Sequence, residues 1–254
     1  MNNPFDLSGQ VAIITGSSKG IGKSIAEQMA KQGAKVVISS RKAPACEEVA
    51  NAINKAGGKA VSIPANISEK AQLEKLVAET RKQLGPIDIL VCNAASNPYY
   101  GPTAKMPDDA FTKIMQNNIL SNIWLVNLCA PDMRAKKDGA IIIVSSIGGI
   151  RGTAVLGAYG ISKAADMALV RNLAIELGPD NIRINAIAPG LVKTDFAKAL
   201  WEDEKNLKLR LERSPLKRIG EPDDIGGIAV MLASRAGAFM TGQVIVADGG
   251  VTIA

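Results

Sequence analysis

The sequence predicts an α/β domain of doubly wound type, a parallel sheet of about seven strands with helices on both faces. Seven short runs rich in Ile and Val punctuate the 254 residues, at 11–15, 35–40, 60–65, 87–93, 139–145, 183–189 and 243–247. Segments with helical spacing lie between most of them, at 21–32, 43–56, 68–84, 107–136 and 158–177. The runs are near-continuously apolar instead of alternating, the pattern of strands covered on both faces. No linker rich in Pro, Gly or Ser and no repeat divides the chain, so residues 1–254 read as one domain.

Taken in order, the elements carry chemistry at their ends. The first run closes in Thr15-Gly16-Ser17-Ser18-Lys19-Gly20-Ile21-Gly22 and passes straight into a helix. Glycine permits positive φ and close backbone approach, and free N–H groups at a helix start attract a pyrophosphate. A glycine-rich turn after a first strand is therefore a dinucleotide cradle, as in Rossmann-type folds. The second run ends in Ser40-Arg41-Lys42, with no carboxylate to bind an adenosine ribose. Arg41 offers a planar fork suited to a 2′-phosphate, which favours NADP(H) over NAD(H). Basic residues are also the wrong sign for a helix start, so stability alone does not account for Arg41 and Lys42.

The third run is followed by Asn66, the fourth by Asn93-Ala94-Ala95, and the fifth by Ser146. Helix 158–177 carries Tyr159 and Lys163, four residues apart and so neighbours on one face. A phenol titrates near 10, and a nearby ammonium stabilises phenolate. Lowering a phenol by about 3 units takes about 4 kcal/mol, which a cation at roughly 4 Å supplies in an intermediate dielectric. The sixth run leads through Pro189 and Gly190 into 191–222, a charged, helical stretch longer than a connection needs. Trp201 and the leucines around it predict an ordered lid over a substrate.

Composition removes competing functions. The chain has no His, which excludes serine–histidine and thiol–imidazole hydrolysis and removes the commonest transition-metal ligand. Its three cysteines, Cys46, Cys92 and Cys129, form no metal or disulfide pattern; no metal site is expected, and a reducing cytoplasm is the natural setting. The net charge of +6 comes from interleaved charges of both signs, and aromatics are 4% of the chain, too few for a base-stacking surface. That pattern fits an anionic cofactor and not nucleic acid. No segment holds enough uninterrupted apolar residues to span a membrane.

In this order the motifs resemble the short-chain dehydrogenases/reductases over nearly the whole chain. They are Thr15-Gly16-Ser17-Ser18-Lys19-Gly20-Ile21-Gly22, Cys92-Asn93-Ala94-Ala95, Asn118, Ser145-Ser146, Tyr159-Gly160-Ile161-Ser162-Lys163, Pro189-Gly190-Leu191-Val192-Lys193-Thr194 and Asp248-Gly249-Gly250. The resemblance implies that Tyr159 exchanges a proton with the substrate oxygen, that Lys163 tunes the phenol and holds the nicotinamide ribose, and that Ser146, ahead of its neighbour Ser145, hydrogen-bonds that oxygen. Asn118, with Asn117 as fallback, would complete a proton relay through water. Cofactor contacts would come from Gly16, Ser18, Lys19, Gly20, Ile21, Gly22, Ser40, Arg41, Asn66, Asn93, Ala94, Tyr159, Lys163, Pro189, Gly190, Val192 and Thr194. Lys19 would add a second charge at the 2′-phosphate.

Two departures stand out: Asn66 occupies a place where the family more often has Asp, and Ala95 one where it commonly has Gly. The substrate cleft is expected from 96–101, 147–151, 154–156 and the lid, with Tyr99 and Tyr100 either lining it or packing on the lid. Few charges fall in the first three segments, which predicts a small, neutral, partly apolar carbonyl or alcohol as substrate. The expected activity is NADP(H)-dependent interconversion of a ketone or aldehyde with an alcohol. Enoyl reduction fits less well, because related enoyl reductases space their Tyr and Lys more widely. The alternatives are a 3-oxoacyl-thioester reductase of the same family and a non-catalytic NADP-binding regulator. Apolar residues surround most of helix 158–177, which with the resemblance predicts a homotetramer.

Overall fold

The computed structural model describes residues 3–254. Its strands are β1 Val11–Thr15, β2 Lys35–Ser39, β3 Lys59–Ser62, β4 Ile89–Cys92, β5 Gly139–Val144, β6 Ile182–Pro189 and β7 Val244–Ala247. They form one sheet in the order β3-β2-β1-β4-β5-β6-β7, and every pairing is parallel. The helices are α1 Gly20–Lys31, α2 Ala43–Lys55, α3 Lys70–Leu84, α4 Asp108–Met115, α5 Ser121–Lys136, α6 Gly157–Leu177, α7 Lys198–Trp201, α8 Glu204–Glu212 and α9 Pro222–Ala233.

The continuous apolar runs are explained by two cores, one on each face. Within β1, Ala12 and Ile14 pack with Ile25 and Met29 of α1, Val49 of α2 and Ile225 of α9. Val11 and Ile13 point the other way, into Leu73 and Leu76 of α3, Leu125 of α5 and Val170 of α6. A strand buried on both sides has no position for a polar side chain, and full burial of each Ile contributes about 1.5–3 kcal/mol. The edge strand β7 departs from this: it is only half covered, with Val246 41% exposed.

The winding reverses between β1 and β4. From β1 the chain proceeds outward through β2 and β3, then returns to place β4 on the other side of β1. Right-handed crossovers in opposite directions put their helices on opposite faces, leaving a crevice at the carboxyl ends of β1 and β4. The glycine-rich turn leaves β1 there, and Asn93 follows β4.

Segment 107–136 is helical almost throughout but not uniformly α. A π turn, Gln116–Leu120, separates α4 from α5 and contains both Asn117 and Asn118. Such a turn adds a residue to the helical repeat and re-aims side chains, frequently at functional sites. Within 191–222 the chain makes a 3₁₀ turn, Asp195–Ala197, followed by α7 and α8.

Helix α9, unremarked in the sequence reading, has a strong start signal in Glu221-Pro222-Asp223-Asp224. Pro222 opens the helix, and Glu221 and Asp224 form a reciprocal capping box. Asp224 accepts from the Arg218 guanidinium at 2.6 and 2.9 Å and from the Glu221 N–H at 2.7 Å. These bonds, Arg218 first, hold its carboxyl down at about 2. Because the folded value lies below the unfolded one, the stabilisation is present above about pH 4 and is lost as pH falls through about 2. Asp224 is 39% exposed, so solvent screening limits the effect. Asp224→Asn is expected to lose about 1 kcal/mol at pH 7 by urea unfolding, with the difference from the parent closing near pH 2.

Candidate active site

The crevice is built from backbone first. Gly16 and Gly20 take φ of +68° and +57°, the left-handed region that favours glycine. Gly22 serves closeness instead: a Cβ there would stand 2.5 Å from both the Gly16 carbonyl oxygen and Asn93 Nδ2. Asn93 Nδ2 donates to the Thr15 and Gly16 carbonyls at 2.8 and 3.3 Å, and the Asn93 and Ala94 N–H groups donate to Thr15 Oγ1. Asn93 thus braces the turn with its side chain. Ser17, to which the sequence reading gave no role, clips the turn to β2: its buried hydroxyl donates to the Ile14 carbonyl and accepts from the Ser39 N–H. Ala95 does not take a positive φ, so the alanine is accommodated without strain.

These residues suit a dinucleotide. The α1 N-terminus has no side-chain cap and no acidic residue in its first turn, leaving its N–H groups and dipole for an anion. Arg41 is exposed and, among the described residues, has no hydrogen bond or ion pair. The N-terminus of α2 beside it also lacks a side-chain cap and a first-turn acid. Lys19 is engaged: its ammonium pairs with Asp195 at 2.8 Å, an exposed contact of small energetic weight. Asn66 Oδ1 is taken by the Ser68 N–H and hydroxyl in a local turn. The Ser40 hydroxyl lies 3.1 Å from Cys46 Sγ.

Beyond β6 the Gly190 N–H donates to the Ala247 carbonyl, and a Cβ on Gly190 would lie 2.7 Å from Asp248 Cα. Pro189 ends the strand, and Val192 makes a bridge to Gly220. Thr194 packs its methyl near Gly20, accepts from the Ala197 N–H and receives Trp201 Nε1 on its carbonyl. The start of segment 191–222 therefore sits on the glycine-rich turn.

Tyr159 is half-buried at the start of α6, with the ring of Phe196, from the turn Asp195–Ala197, 6.0 Å away between centroids. Gly148 lies between the other two polar groups of the site: a Cβ on it would stand 3.4 Å from Ser146 Oγ and 3.7 Å from Tyr159 Cε1. Ser146 Oγ, which accepts from the Gly148 N–H at 3.0 Å, and the edge of the Tyr159 ring therefore both border Gly148. The neighbouring Ser145 does not, because its buried hydroxyl donates to the Lys163 carbonyl. Of the four segments expected to frame the cleft, 96–101 and 154–156 are joined by a bridge between Gly101 and Leu156. Tyr99 is spent on its own loop, donating to the Pro102 carbonyl, and Tyr100 is exposed.

Lys163 is 2% exposed, and its ammonium lies 5.7 Å from the Tyr159 ring centroid. It donates to the Val144 carbonyl and to Asp166, both at 2.9 Å. Asp166 was absent from the sequence reading, although its place three residues after Lys163 put it on the same helix face. Burial pushes Lys163 down, but the Asp166 carboxylate overrides it and holds the lysine above its ordinary value. Asn118 is wholly buried, its amide holding the Ser96 N–H, the Ser96 carbonyl and the Ser162 hydroxyl. The polar chain from Lys163 reaches Asn118 through Asp166 and Asn122. Asn117 donates to the Ser96 hydroxyl.

Cys92 and Cys129 lie buried beneath this network; burial pushes the Cys92 thiol well up and that of Cys129 up to about 12, so neither supplies a thiolate. Among the described residues no group of three His, Cys, Asp or Glu side chains could hold a metal ion, and no helix is long and apolar enough to cross a membrane.

Comparison with known proteins places these motifs in a family. Residues 16–252 match a family model described as enoyl-(acyl carrier protein) reductase. Dehydrogenase/reductase SDR family member 4 of Oryctolagus cuniculus is 37% identical over 244 residues, covering 96% of this chain and 94% of that protein. Among solved structures, a 7α-hydroxysteroid dehydrogenase complexed with NADH and 7-oxo glycochenodeoxycholic acid is 36% identical, with a TM-score of 0.95 and 98% of each chain covered. A gluconate 5-dehydrogenase from Burkholderia cenocepacia J2315, in complex with NADP and tartrate, is 30% identical, with a TM-score of 0.94 over 99% of this chain and 98% of that one. With a family model matching residues 16–252 and relatives matched over nearly their whole length, the chain belongs to the short-chain dehydrogenase/reductase family of oxidoreductases.

Proposed function

We propose that the protein is an NADP(H)-dependent oxidoreductase that interconverts a ketone or aldehyde with an alcohol. The observation that carries this reading is that Ser146 and the Tyr159 ring both border Gly148, with the Lys163 cation 5.7 Å from the ring centroid. A site that only bound a dinucleotide would need no serine hydroxyl placed beside a phenol. The cradle of Gly16, Gly20 and Gly22, the uncapped α1 N-terminus and the unpaired Arg41 would hold the cofactor, with Ser18, Ile21, Asn93, Ala94, Val192 and Thr194 around it. When bound, the nicotinamide supplies or accepts the hydride.

The chain's own residues do the rest. Ser146 donates a hydrogen bond to the substrate oxygen and fixes it beside Tyr159. Tyr159 gives its proton to that oxygen as negative charge develops, or withdraws it in the reverse direction. Lys163 stabilises the phenolate left behind. Phe196, from the lid, lies with its ring centroid 6.0 Å from that of Tyr159, where closure over substrate would limit water at the reacting atoms.

NADP preference rests on Arg41 and on the absence of a carboxylate at the end of β2. Solved relatives carry NADH in one case and NADP in others. We read the substrate as small, neutral and partly apolar. A second reading, a 3-oxoacyl thioester, is favoured by a cavity of about 490 Å³ between the end of the lid and the C-terminus, lined by Arg151, Arg213 and Lys217 with Glu212. Such a mouth would take an anionic carrier. Exposed Ile161 and Ile175 on α6 support the tetramer, which light scattering reads directly, and free, buried Cys46, Cys92 and Cys129 suit a reducing compartment.

The test is initial-rate oxidation of NADPH, and separately of NADH, against aryl ketones, diketones, cyclic ketones and β-keto thioesters. Turnover with NADPH on a neutral ketone is the expected result. Turnover confined to β-keto thioesters would select the second reading, and tight NADPH binding without turnover in either direction would replace the enzyme by a regulatory binder.

A further inference from the structure

We propose that Asp166 is a positioning residue of the proton-transfer site: its buried carboxylate holds the Lys163 ammonium against the Val144 carbonyl and offsets part of the cationic charge that Tyr159 feels. The inference rests on the reading of Tyr159 and Lys163 given above.

The geometry is specific. Asp166 is 0% exposed and Lys163 2%, and Oδ2 accepts from Nζ at 2.9 Å. The second oxygen, Oδ1, accepts from Asn122 Nδ2 at 3.1 Å. Burial pushes the Asp166 carboxyl up, while the Lys163 cation and the hydrogen bonds from Lys163 and Asn122 pull it down, and both oxygens accept from N–H donors as a carboxylate does. The Asn122 amide also donates to the main-chain carbonyl of Asn118, inside the π turn. One carboxylate thereby ties the lysine on α6 to the turn that carries Asn118 between α4 and α5.

Asp166 is not placed there by the needs of packing. Its neighbours along α6, Met167 and Val170, are buried and apolar, and a buried ion pair is often no more stabilising than apolar residues of the same size. The groups facing Lys163 are Tyr159 and Asp166 from its own helix, Cys92 from β4 and the Val144 carbonyl from β5, with Cys129 behind Cys92. Burial keeps both thiols protonated, so Asp166 is the negative charge beside the cation. Tyr159 therefore faces a lysine–carboxylate pair. Near a bare cation a phenol ionises more readily than near a neutralised one.

The experiment needs no substrate. The protein has three tyrosines, so subtracting the ultraviolet tyrosinate titration of Tyr159→Phe from that of the parent isolates Tyr159. The same subtraction is made for Asp166→Asn with and without Tyr159→Phe. The expected result is a Tyr159 midpoint lower by about one pH unit or more in Asp166→Asn, with Asp166→Glu, which keeps the charge, within a few tenths of the parent. Asp166→Ser, whose small hydroxyl leaves room for water beside the ammonium, replaces Asp166→Asn should the amide prevent folding. A folded variant with an unchanged or raised midpoint overturns the proposal and leaves Asp166 a structural residue. Full turnover by Tyr159→Phe would instead overturn the proposed acid, whatever the titration shows.

Discussion

Tyr159→Phe is expected to bind NADPH as the parent does and to lose about 10³-fold of its turnover, within the range that general acid–base groups contribute. The substitution removes one oxygen atom. That hydroxyl has no hydrogen-bond partner among the described residues, so the fold does not depend on it. The ring keeps its contact with Phe196, and the main-chain carbonyl of residue 159 still accepts from Ser162. What disappears is the proton donor beside Ser146, and with no histidine in the chain nothing else at the site can replace it. Cofactor affinity by fluorescence titration together with single-turnover rates separates binding from chemistry. A variant that turns over near the parental rate would remove Tyr159 from its role.

The second large effect concerns the cofactor. Arg41→Asp is expected to raise the KM for NADPH about 10²-fold while changing that for NADH only a few-fold, in either direction. A charge-assisted hydrogen bond to the 2′-phosphate contributes about 1.5–3 kcal/mol, and the new carboxylate adds repulsion where an attraction was lost. The same carboxylate could hydrogen-bond the ribose hydroxyls of NADH, as acidic residues at the end of the second strand do. Arg41 is exposed and unpaired among the described residues, so replacing it leaves the fold intact. Two cations precede α2, at the end of a helix where positive charge is unfavourable. A bound anion would reverse that balance. Equal weakening of NADPH and NADH would sink the assignment, and paired initial-rate measurements with the two cofactors decide it.

Most of the fold was legible because its signals are local and strong. Each run predicted as a strand overlaps one, displaced by at most three residues at either end, since Ile and Val in unbroken series have few alternatives to a doubly covered strand. The π turn was not legible. Gln116 to Leu120 carry no Pro or Gly to mark a break, and the inserted residue is stabilised by what Asn117 and Asn118 bond to across space, namely Ser96 and Ser162. Helix α9 was legible in principle, since Pro222 and the Glu221–Asp224 box are sequence signals, but the expected lid ran into it.

At the site, the sequence by itself determined which side chains exist to do chemistry: a phenol and an ammonium one helical turn apart, a glycine-rich turn, an arginine at the end of the second strand and no imidazole. Composition and spacing along one element suffice for that, because 3.6 residues per turn is a property of the helix alone. Only the tertiary structure decided how each is used. It turned the Ser145 hydroxyl into α6, gave Asn118 to the Ser96 loop and Asn93 to the glycine-rich turn, paired Lys19 with Asp195, and buried Asp166 against Lys163. Hydrogen bonds and ion pairs join groups far apart in the chain, and their strength depends on the dielectric that packing creates around them. A string of residues carries the groups, and the folded interior sets their partners and their charge.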